Sequence, residues 1–514
     1  MKRFLTGLMC LVILLLSLLC GCTGGKKPIG NGQNDLEIFL WQAGYGREFF
    51  DAIIDAYTAK NPDVNISLTS SADLTNEPIY NTPETNTVDL YFTSFPTYAS
   101  VVKYDSNSDG VKEDILEDLN GVLDMKADGE TKTLREKFGS HILGAVTNSE
   151  GKIYSLPWYN SLCGLVYNSD MFEKYDWDLP RTTDELLYLA DVIKLDKETP
   201  IIHYAEYWKY LYEAWVAQYE GISNYQDIWK GIYTDSNGEK HSNDVRFITE
   251  SQGRYESYSV LSGLLGPKGS VYTGSNSFGH TTSQTYFLDG RAAMMPNGSW
   301  VENEMKSNSK QVNYGMMKTP VISSIIDVLP DESVDNDAEL AALIDAIDAG
   351  NTALEGAGYS VTQDDYNRVK EARNLFYLSG QADVLLPAYS TAKEVAKDFL
   401  RFYFSDEAVQ IAITKAGMLA TVEKDSGEFD YSKNSKFVQD CHNKSKGSSI
   451  LISSFVERLM YAGGITELVK NNPVKWLTYS ANTADFMEVD AYWTMEKNAW
   501  INSWEQTLVN AGLQ

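Results

Sequence analysis

Residues 36–41, LEIFLW, are followed by EFFDAIIDAY at 48–57 and by VNISL at 64–68. The first and third segments have the apolar content and alternation of strands, and the middle one repeats apolar residues at helical spacing. Asn61-Pro62 ends the helix. A strand, a helix and a strand within about 30 residues form a βαβ unit, and VDLYF at 88–92 adds a third strand. The chain is therefore predicted to be an α/β protein with a parallel sheet.

The N-terminus has the features of an export signal. Lys2 and Arg3 precede an apolar run at 5–19, which is shorter than the ~20 residues of a transmembrane helix. LCGC at 19–22 resembles a bacterial lipobox, which implies cleavage after residues 1–21 and a diacylglycerol thioether on Cys22. An ordinary secreted protein or an uncleaved anchor is the alternative. Residues 22–34, rich in Gly and Lys, are predicted to be a lipidated flexible tether. We therefore expect a protein anchored to the extracytoplasmic face of the cell membrane.

Composition limits the classes of partner. The 514 residues fit two or three lobes, and their hydrophobic fraction of 43% is that of a globular protein. A net charge of −28 argues against nucleic acid or anionic lipid as a partner, and we expect a monomer. Cys163 and Cys441 lie in unlike contexts, which favours two free, buried thiols over a disulfide.

Further blocks of sequence carry a family resemblance. Together with the first strand and helix, they resemble the family 1 extracellular solute-binding proteins, relatives of the maltose-binding protein, in the family's order and over most of the mature chain. The blocks are EDLN at 117–120, GKIYSLPW at 151–158, LVYNSDMF at 165–172, PRTTDEL at 180–186, FLDGRAAM at 287–294, NGSW at 297–300, VNYGM at 312–316 and AKDFL at 396–400.

The resemblance implies a two-lobed periplasmic-binding-protein-like fold of type II, with the ligand cleft between the lobes. Crossings are expected near 162–167, 312–317 and 388–393. They divide the chain into an N-terminal lobe of 35–163 and 315–390 and a C-terminal lobe of 164–314 and 391–514. Residues from about 331 to 380 exceed the family pattern. They are interpreted as a helical insertion in the N-terminal lobe, with helices at 338–347 and 364–377.

The implied function is capture of a carbohydrate, most simply an oligosaccharide, and its delivery by cleft closure to the permease subunits of an ABC importer. Neither catalysis nor a cofactor is required. Ligands of parallel sheets bind beyond the carboxyl ends of the strands, and aromatic rings suit the apolar faces of sugars. The Trp of the NGSW turn stacks on sugar in maltose-binding relatives, and Trp41 suits stacking or the core equally well. The candidate binding residues are Trp41, Tyr45, Thr93, Ser94, Trp158, Tyr159, Trp208, Asn297, Ser299 and Trp300.

The segment DSNSDGV at 105–111 predicts a structural calcium site. Asp105, Asn107 and Asp109 supply oxygens at alternate positions, Gly110 allows the sharp turn, and Val111 offers a backbone carbonyl. The twelfth position of such a loop is Leu116 here, where a bidentate Glu is usual. An acidic surface turn would use the same residue types, so both interpretations stay open.

Two other functions are alternatives to that of a binding protein for an importer. No HExxH, CxxC, GxSxG or phosphate-loop pattern is present, which disfavours a zinc site, a nucleophile elbow and a nucleotide site. A lipoprotein glycosidase needs only two well-placed carboxylates, which so acidic a chain can supply. A surface glycan-binding lipoprotein without a transporter would share the fold.

Overall fold

A computed structural model describes residues 33–72, 86–93, 103–104, 113–351, 360–378, 383–447, 449–451, 459, 473–479 and 486–514. The signal segment and most of the tether, with Cys22, lie outside this range. So do Ser94 and the predicted calcium loop at 105–111. Among the described residues, no helix is long and apolar enough to span a membrane.

Strands form two main sheets and two small two-stranded sheets. They are β1 (Asp35–Trp41), β2 (Asn65–Ser71), β3 (Leu90–Thr93), β4 (Lys103–Tyr104), β5 (Glu113–Asp114), β6 (Leu156–Pro157), β7 (Leu162–Asn168), β8 (Ile232–Thr234), β9 (Lys240–Ser242), β10 (Met294–Gly298), β11 (Tyr314–Met316), β12 (Leu375–Leu378), β13 (Asp383–Leu385) and β14 (Ser449–Leu451).

Helices cover the sheets. They are α1 (Glu48–Lys60), α2 (Asn120–Leu123), α3 (Leu134–Phe138), α4 (Ser140–Val146), α5 (Ser169–Tyr175), α6 (Thr183–Leu195), α7 (Lys209–Glu220), α8 (Ile222–Trp229), α9 (Arg246–Thr249), α10 (Gln252–Leu265), α11 (His280–Leu288), α12 (Val301–Glu304), α13 (Asp337–Asp348), α14 (Gln363–Arg373), α15 (Lys393–Tyr403), α16 (Asp406–Ala416), α17 (Lys436–Ser445), α18 (Pro473–Leu477) and α19 (Val489–Ala511). Short 3-10 turns occur at Ala43–Tyr45, Ala205–Trp208, Ser275–Ser277 and Ser323–Val328.

The opening βαβ unit is confirmed. β1 runs parallel to β2, with Asp35 opposite Asn65, and β3 lies parallel on the other side of β1. α1 buries Phe49, Phe50 and Ile53, which are spaced to fall on one face of a helix. The apolar positions of β1 and α1 therefore bury together and fix the first sheet.

The two main sheets form the two lobes. The first has the strand order β2-β1-β3-β13-β6, and the second has β10-β7-β12-β14 with β11 also paired to β7. β6 ends at Pro157 in the first sheet and β7 begins at Leu162 in the second, so the chain crosses between them. One buried cluster joins the lobes, since it contains Leu40 and Phe92 from the first sheet and Met295 and Tyr377 from the second.

Strand pairing corrects the expected division of the chain after residue 315. β12 pairs with β7 and β14, so the chain up to Leu378 stays with the second sheet and does not cross near 312–317. It returns between β12 and β13, because Asp383 pairs with Thr93 of the first sheet. α15 then packs on the first lobe, where the rings of Phe399 and Phe50 are 6.1 Å apart. The segment 391–514 thus begins in the first lobe.

The helical insertion belongs to the core of the second lobe. α13 matches its predicted position, but the helix predicted at 364–377 ends at Arg373 and gives way to β12. Leu343 and Ile344 are buried in the same cluster as Trp215 of α7. The hydroxyl of Thr182 donates to Asp337 over 2.9 Å, and Arg181 pairs with Asp345. The insertion was expected in the first lobe, and these contacts overturn that placement.

The two cysteines of the body follow the prediction. Cys163 and Cys441 are both buried, and neither forms a disulfide within the part of the chain that the structure describes. Burial raises the pKa of the Cys441 thiol, which keeps it protonated.

Candidate functional site

The two lobes meet where β1 and β10 end. After β1 the chain makes the turn Ala43–Tyr45, and after β10 it continues into Ser299, Trp300 and helix α12. Asn303 of α12 donates from Nδ2 to the backbone oxygen of Gly44 over 2.8 Å. We call this region the lobe junction, and seven of the predicted binding residues surround it: Trp41, Tyr45, Trp158, Tyr159, Asn297, Ser299 and Trp300.

Aromatic rings line the first-lobe side of the junction. Tyr159 is central, because its ring centroid lies 6.5 Å from that of Trp41, 5.2 Å from that of Tyr45 and 4.5 Å from that of Trp158. Trp158 is buried and donates from Nε1 to the backbone oxygen of Thr93 over 2.9 Å. Trp41 keeps part of its surface exposed. Trp158 and Thr93 thus support the wall, while Trp41 offers an apolar face.

The second-lobe side is also aromatic. The Trp300 ring packs nearly perpendicular to the rings of Tyr207 and Tyr210, with centroid distances of 5.6 Å and 5.7 Å. The ring centroid of Tyr210 lies 5.2 Å from that of Tyr377 of β12. These three tyrosines were not among the binding residues predicted from the sequence. The spacing of Tyr204, Tyr207 and Tyr210 was a visible signal, since residues three apart share a helix face.

Hydroxyl groups lie between the two aromatic walls. The Tyr45 hydroxyl hydrogen-bonds to Ser161 Oγ and contacts the backbone oxygen of Asn160 at 3.4 Å. Burial raises the pKa of Tyr45, so it stays a neutral phenol. Ser299 lies beside that phenol and is only 3% exposed, and apart from the phenol its Oγ has no hydrogen-bond partner within the described residues. A hydroxyl group can donate one hydrogen bond and accept two, so Ser299 has capacity left for a polar ligand group.

Asn297 has weak partners at the floor of the junction. Its Oδ1 accepts from the backbone N–H of Gly298 over 2.8 Å. Its Nδ2 donates toward the sulfur of Met295 at 3.7 Å, and sulfur is a weak acceptor. The side chain has no exposed surface.

Asp383 is an acidic residue that was not among the candidates predicted from the sequence. It lies on β13 between Thr93 and Pro157 and is 9% exposed. Burial raises its pKa to about 7, although a hydrogen bond with Ser155 opposes the shift. The available signal for a buried acidic residue was the position of Asp383 directly before the apolar residues 384–386.

Trp208 does not belong to the junction. It is 0% exposed, and its Nε1 donates to Nδ1 of His203 over 2.8 Å. Nε2 of His203 therefore carries the proton and donates to Asn276 Oδ1 over 2.9 Å. Burial lowers the pKa of His203 to about 4, so the ring is neutral. Both polar ends of this pair are satisfied inside the second lobe.

Two other places could bind a ligand. A groove of about 940 Å³ lies between α6 and α13, but its charged side chains already pair, with Lys318 and Arg373 each 2.7 Å from Asp348. In the β8–β9 hairpin, ligand atoms of Asp235, Glu239 and His241 lie within 4.8 Å of one another, and His241 hydrogen-bonds to Asp235. Neither place joins the two lobes.

Known proteins share parts of this sequence and its fold. The family model of bacterial extracellular solute-binding proteins matches residues 52–440. The multiple sugar-binding protein of Streptococcus mutans is 24% identical over 174 residues, which are 33% of this chain and 39% of that relative. The match therefore spans about two fifths of the relative's length.

Two solved structures share the fold. The solute-binding protein RafE in complex with raffinose is 15% identical, with a TM-score of 0.55 over 91% of this chain and 98% of that chain. A probable secreted solute-binding lipoprotein from Streptomyces coelicolor is 13% identical, with a TM-score of 0.56 over 91% and 98% of the two chains. At these identities the likeness concerns the fold alone.

Proposed function

Because the chain belongs to the bacterial extracellular solute-binding proteins, we propose that it captures a carbohydrate at the lobe junction. We infer that the ligand is an oligosaccharide, which the protein delivers to the permease subunits of an ABC importer. The relatives support the ligand class, since one is a multiple sugar-binding protein and another is a complex with raffinose.

The aromatic walls of the junction carry the carbohydrate proposal. Trp41 and Tyr207, one from each lobe, both retain exposed surface. Pyranose rings present apolar C–H faces that pack on such rings, and their hydroxyls need hydrogen bonds at the edges. Ser299 Oγ, beside the Tyr45 phenol, supplies a buried hydroxyl with hydrogen-bonding capacity between the walls.

Binding in this proposal works by closure. A sugar that touches Trp41 and Tyr207 at once does so only when the lobes are together, so it favours the closed form. Rotation takes place at the segments that cross between the sheets, such as those between β6 and β7 and between β12 and β13. The closed form then docks on the permease, and no bond of the ligand is broken.

We further propose that Cys22 carries the lipid that anchors the protein to the membrane. The lipobox-like segment LCGC at 19–22 and the lipoprotein among the structural relatives support this. Expression in a bacterial host followed by detergent phase separation tests it. The wild-type chain should enter the detergent phase, and Cys22→Ser should remain in water. Equal partition of both chains would overturn the anchor.

A thermal-shift screen tests the ligand class. The full chain, in detergent micelles, is screened against raffinose, maltotriose and other oligosaccharides, with amino acids and spermidine as controls. A sugar at 100 times its Kd should stabilise the protein by ~2.7 kcal/mol. A shift with one sugar class, and chromatography that finds the sugar unchanged, would support a binding protein. A shift in melting temperature with only amino acids or spermidine would overturn the proposal that the ligand is a carbohydrate. Cleavage of the sugar would favour a glycosidase.

A further inference from the structure

Trp300 is held between two glycines that come from opposite lobes. A Cβ on Gly298, in its own lobe, would lie 2.0 Å from Cζ3 of the Trp300 ring. A Cβ on Gly44, in the first lobe, would lie 2.8 Å from Cδ1 of the same ring. Real Cβ atoms do not approach so closely, so both positions need glycine for this packing. The backbone of Gly44 is in the ordinary region for L-residues, so the ring rather than a special φ requires a glycine there.

The rest of the Trp300 surface is also covered. The side chain is 7% exposed, and Tyr207 and Tyr210 close its edges. A sugar needs a free ring face for stacking, and in this form little of Trp300 is free. Trp41, across the junction, has the more accessible indole.

A direct hydrogen bond accompanies this packing. Asn303 lies one turn after Trp300, and its Nδ2 donates to the Gly44 backbone oxygen over 2.8 Å. The same three-residue turn of the first lobe therefore receives both an apolar contact and a polar contact from the second lobe.

We propose that Trp300, Gly44 and Asn303 form an interlobe latch, in which Gly44 and Asn303 are positioning residues that set how far the lobes close. This latch acts on the closure described under the proposed function, but it forms between protein groups alone. The closed form is therefore populated before sugar arrives. A sugar then binds to a partly preassembled junction, which reduces the conformational work that its own contacts must perform.

Distances between spin labels on the two lobes test the latch without any sugar. The exposed residues Asp63, after α1, and Glu173, on α5, are replaced by cysteine for labelling. Cys10, Cys20 and Cys22 are replaced by serine, and the buried Cys163 and Cys441 stay unlabelled. The full chain without sugar should show a population at the short, closed distance.

Two variants remove different parts of the latch. Asn303→Ala deletes the hydrogen bond and should raise the ratio of open to closed protein about fivefold. Gly44→Ala places a methyl group against the Trp300 ring and should remove most of the closed population. Gly144→Ala in α4 is the matched control, because a Cβ there meets no atom within 4 Å. Its distances should equal those of the wild-type chain.

A thermal melt of each variant separates a latch from a folding defect. A folding defect lowers the melting temperature, whereas loss of the latch lengthens the distance at an unchanged temperature of unfolding. A wild-type chain that is entirely open without sugar would overturn the proposal. So would unchanged distances in both variants. Neither result depends on whether the ligand is a sugar, so failure here and failure of the proposed function are distinguishable.

Discussion

Asp383 of β13 lies directly opposite Thr93 of β3, so a buried carboxyl stands at the carboxyl end of a central strand of the first sheet. This position predicts how stability depends on pH. Burial raises the pKa of Asp383 to about 7, whereas an unfolded aspartate titrates near about 3.9.

Between these two pKa values the folded protein holds a proton that the unfolded chain releases. The contribution of Asp383 is therefore fully present below about pH 4, and it is lost as the pH rises to about 7. The steepest loss is about 1.4 kcal/mol per pH unit. Asp383→Asn, which stays neutral, should match the wild-type chain near pH 4 and exceed its stability at pH 8. Urea unfolding at both values measures this, and parallel pH profiles for the two chains would contradict it.

Trp41 is expected to contribute to affinity more than to stability. Its ring is partly exposed beside Tyr159, so Trp41→Ala removes a contact surface without opening a large cavity. Affinity for the sugar found in the thermal screen should fall about tenfold or more by calorimetry. Tyr188→Ala is the control, because that side chain is 73% exposed in the groove beside α6. Equal affinity losses in the two variants would contradict the assignment of Trp41 to the binding site.

Trp208 should behave in the opposite way. Trp208→Phe keeps an aromatic ring but leaves Nδ1 of the buried His203 without its donor. A lost partner of a buried polar group costs about 1–3 kcal/mol, which the urea midpoint will report. The sugar affinity of the folded protein should not change. A large loss of affinity with no loss of stability would return Trp208 to the binding site.

The insertion should be needed for folding of the second lobe. Leu343 of α13 is fully buried, so Leu343→Ala should lower the free energy of unfolding by about 2–5 kcal/mol. Asn367→Ala, on the exposed face of α14, should change it by less than about 0.5 kcal/mol. If both variants unfold like the wild-type chain, the insertion only decorates the lobe.

The segment 105–111 still predicts bound calcium. Addition of about 1 mM Ca²⁺ should raise the melting temperature of the wild-type chain, and Asp109→Asn should abolish the increase. Mg²⁺ at the same concentration should have a smaller effect, since it requires a tighter octahedral site. An identical response of wild-type and variant chains would favour the surface turn.

Local signals predicted the first half of the fold well. Alternation and helical spacing fix β1, α1 and β2 because their partners follow closely in sequence. Residues 375–377 of β12 were assigned to the end of a helix, because a short apolar segment after a helix has no periodicity of its own. Only its pairing with β7 and β14 makes it a strand, and that information is tertiary.

Part of the candidate site could also be predicted from the sequence. Trp41, Tyr159 and Trp300 follow strands or belong to recognisable blocks, so their place near the junction could be anticipated. The spacing of Tyr207 and Tyr210 indicated a shared helix face, but spacing alone does not tell whether such a face packs in a core or lines the junction. Asp383 escaped notice because its burial depends on a strand partner far away in the sequence.

The distance in sequence between β3 and β13 affects how the protein folds during its synthesis. β13 completes the first sheet between β3 and β6, yet it is synthesised more than half a chain length after β3. Until then the sheet lacks an inner strand, and long-range pairing of this kind makes folding slow. Because the first sheet cannot be completed before β13 has been made, the topology itself should delay folding of the first lobe, and an incompletely folded chain is suited to passage through an export channel.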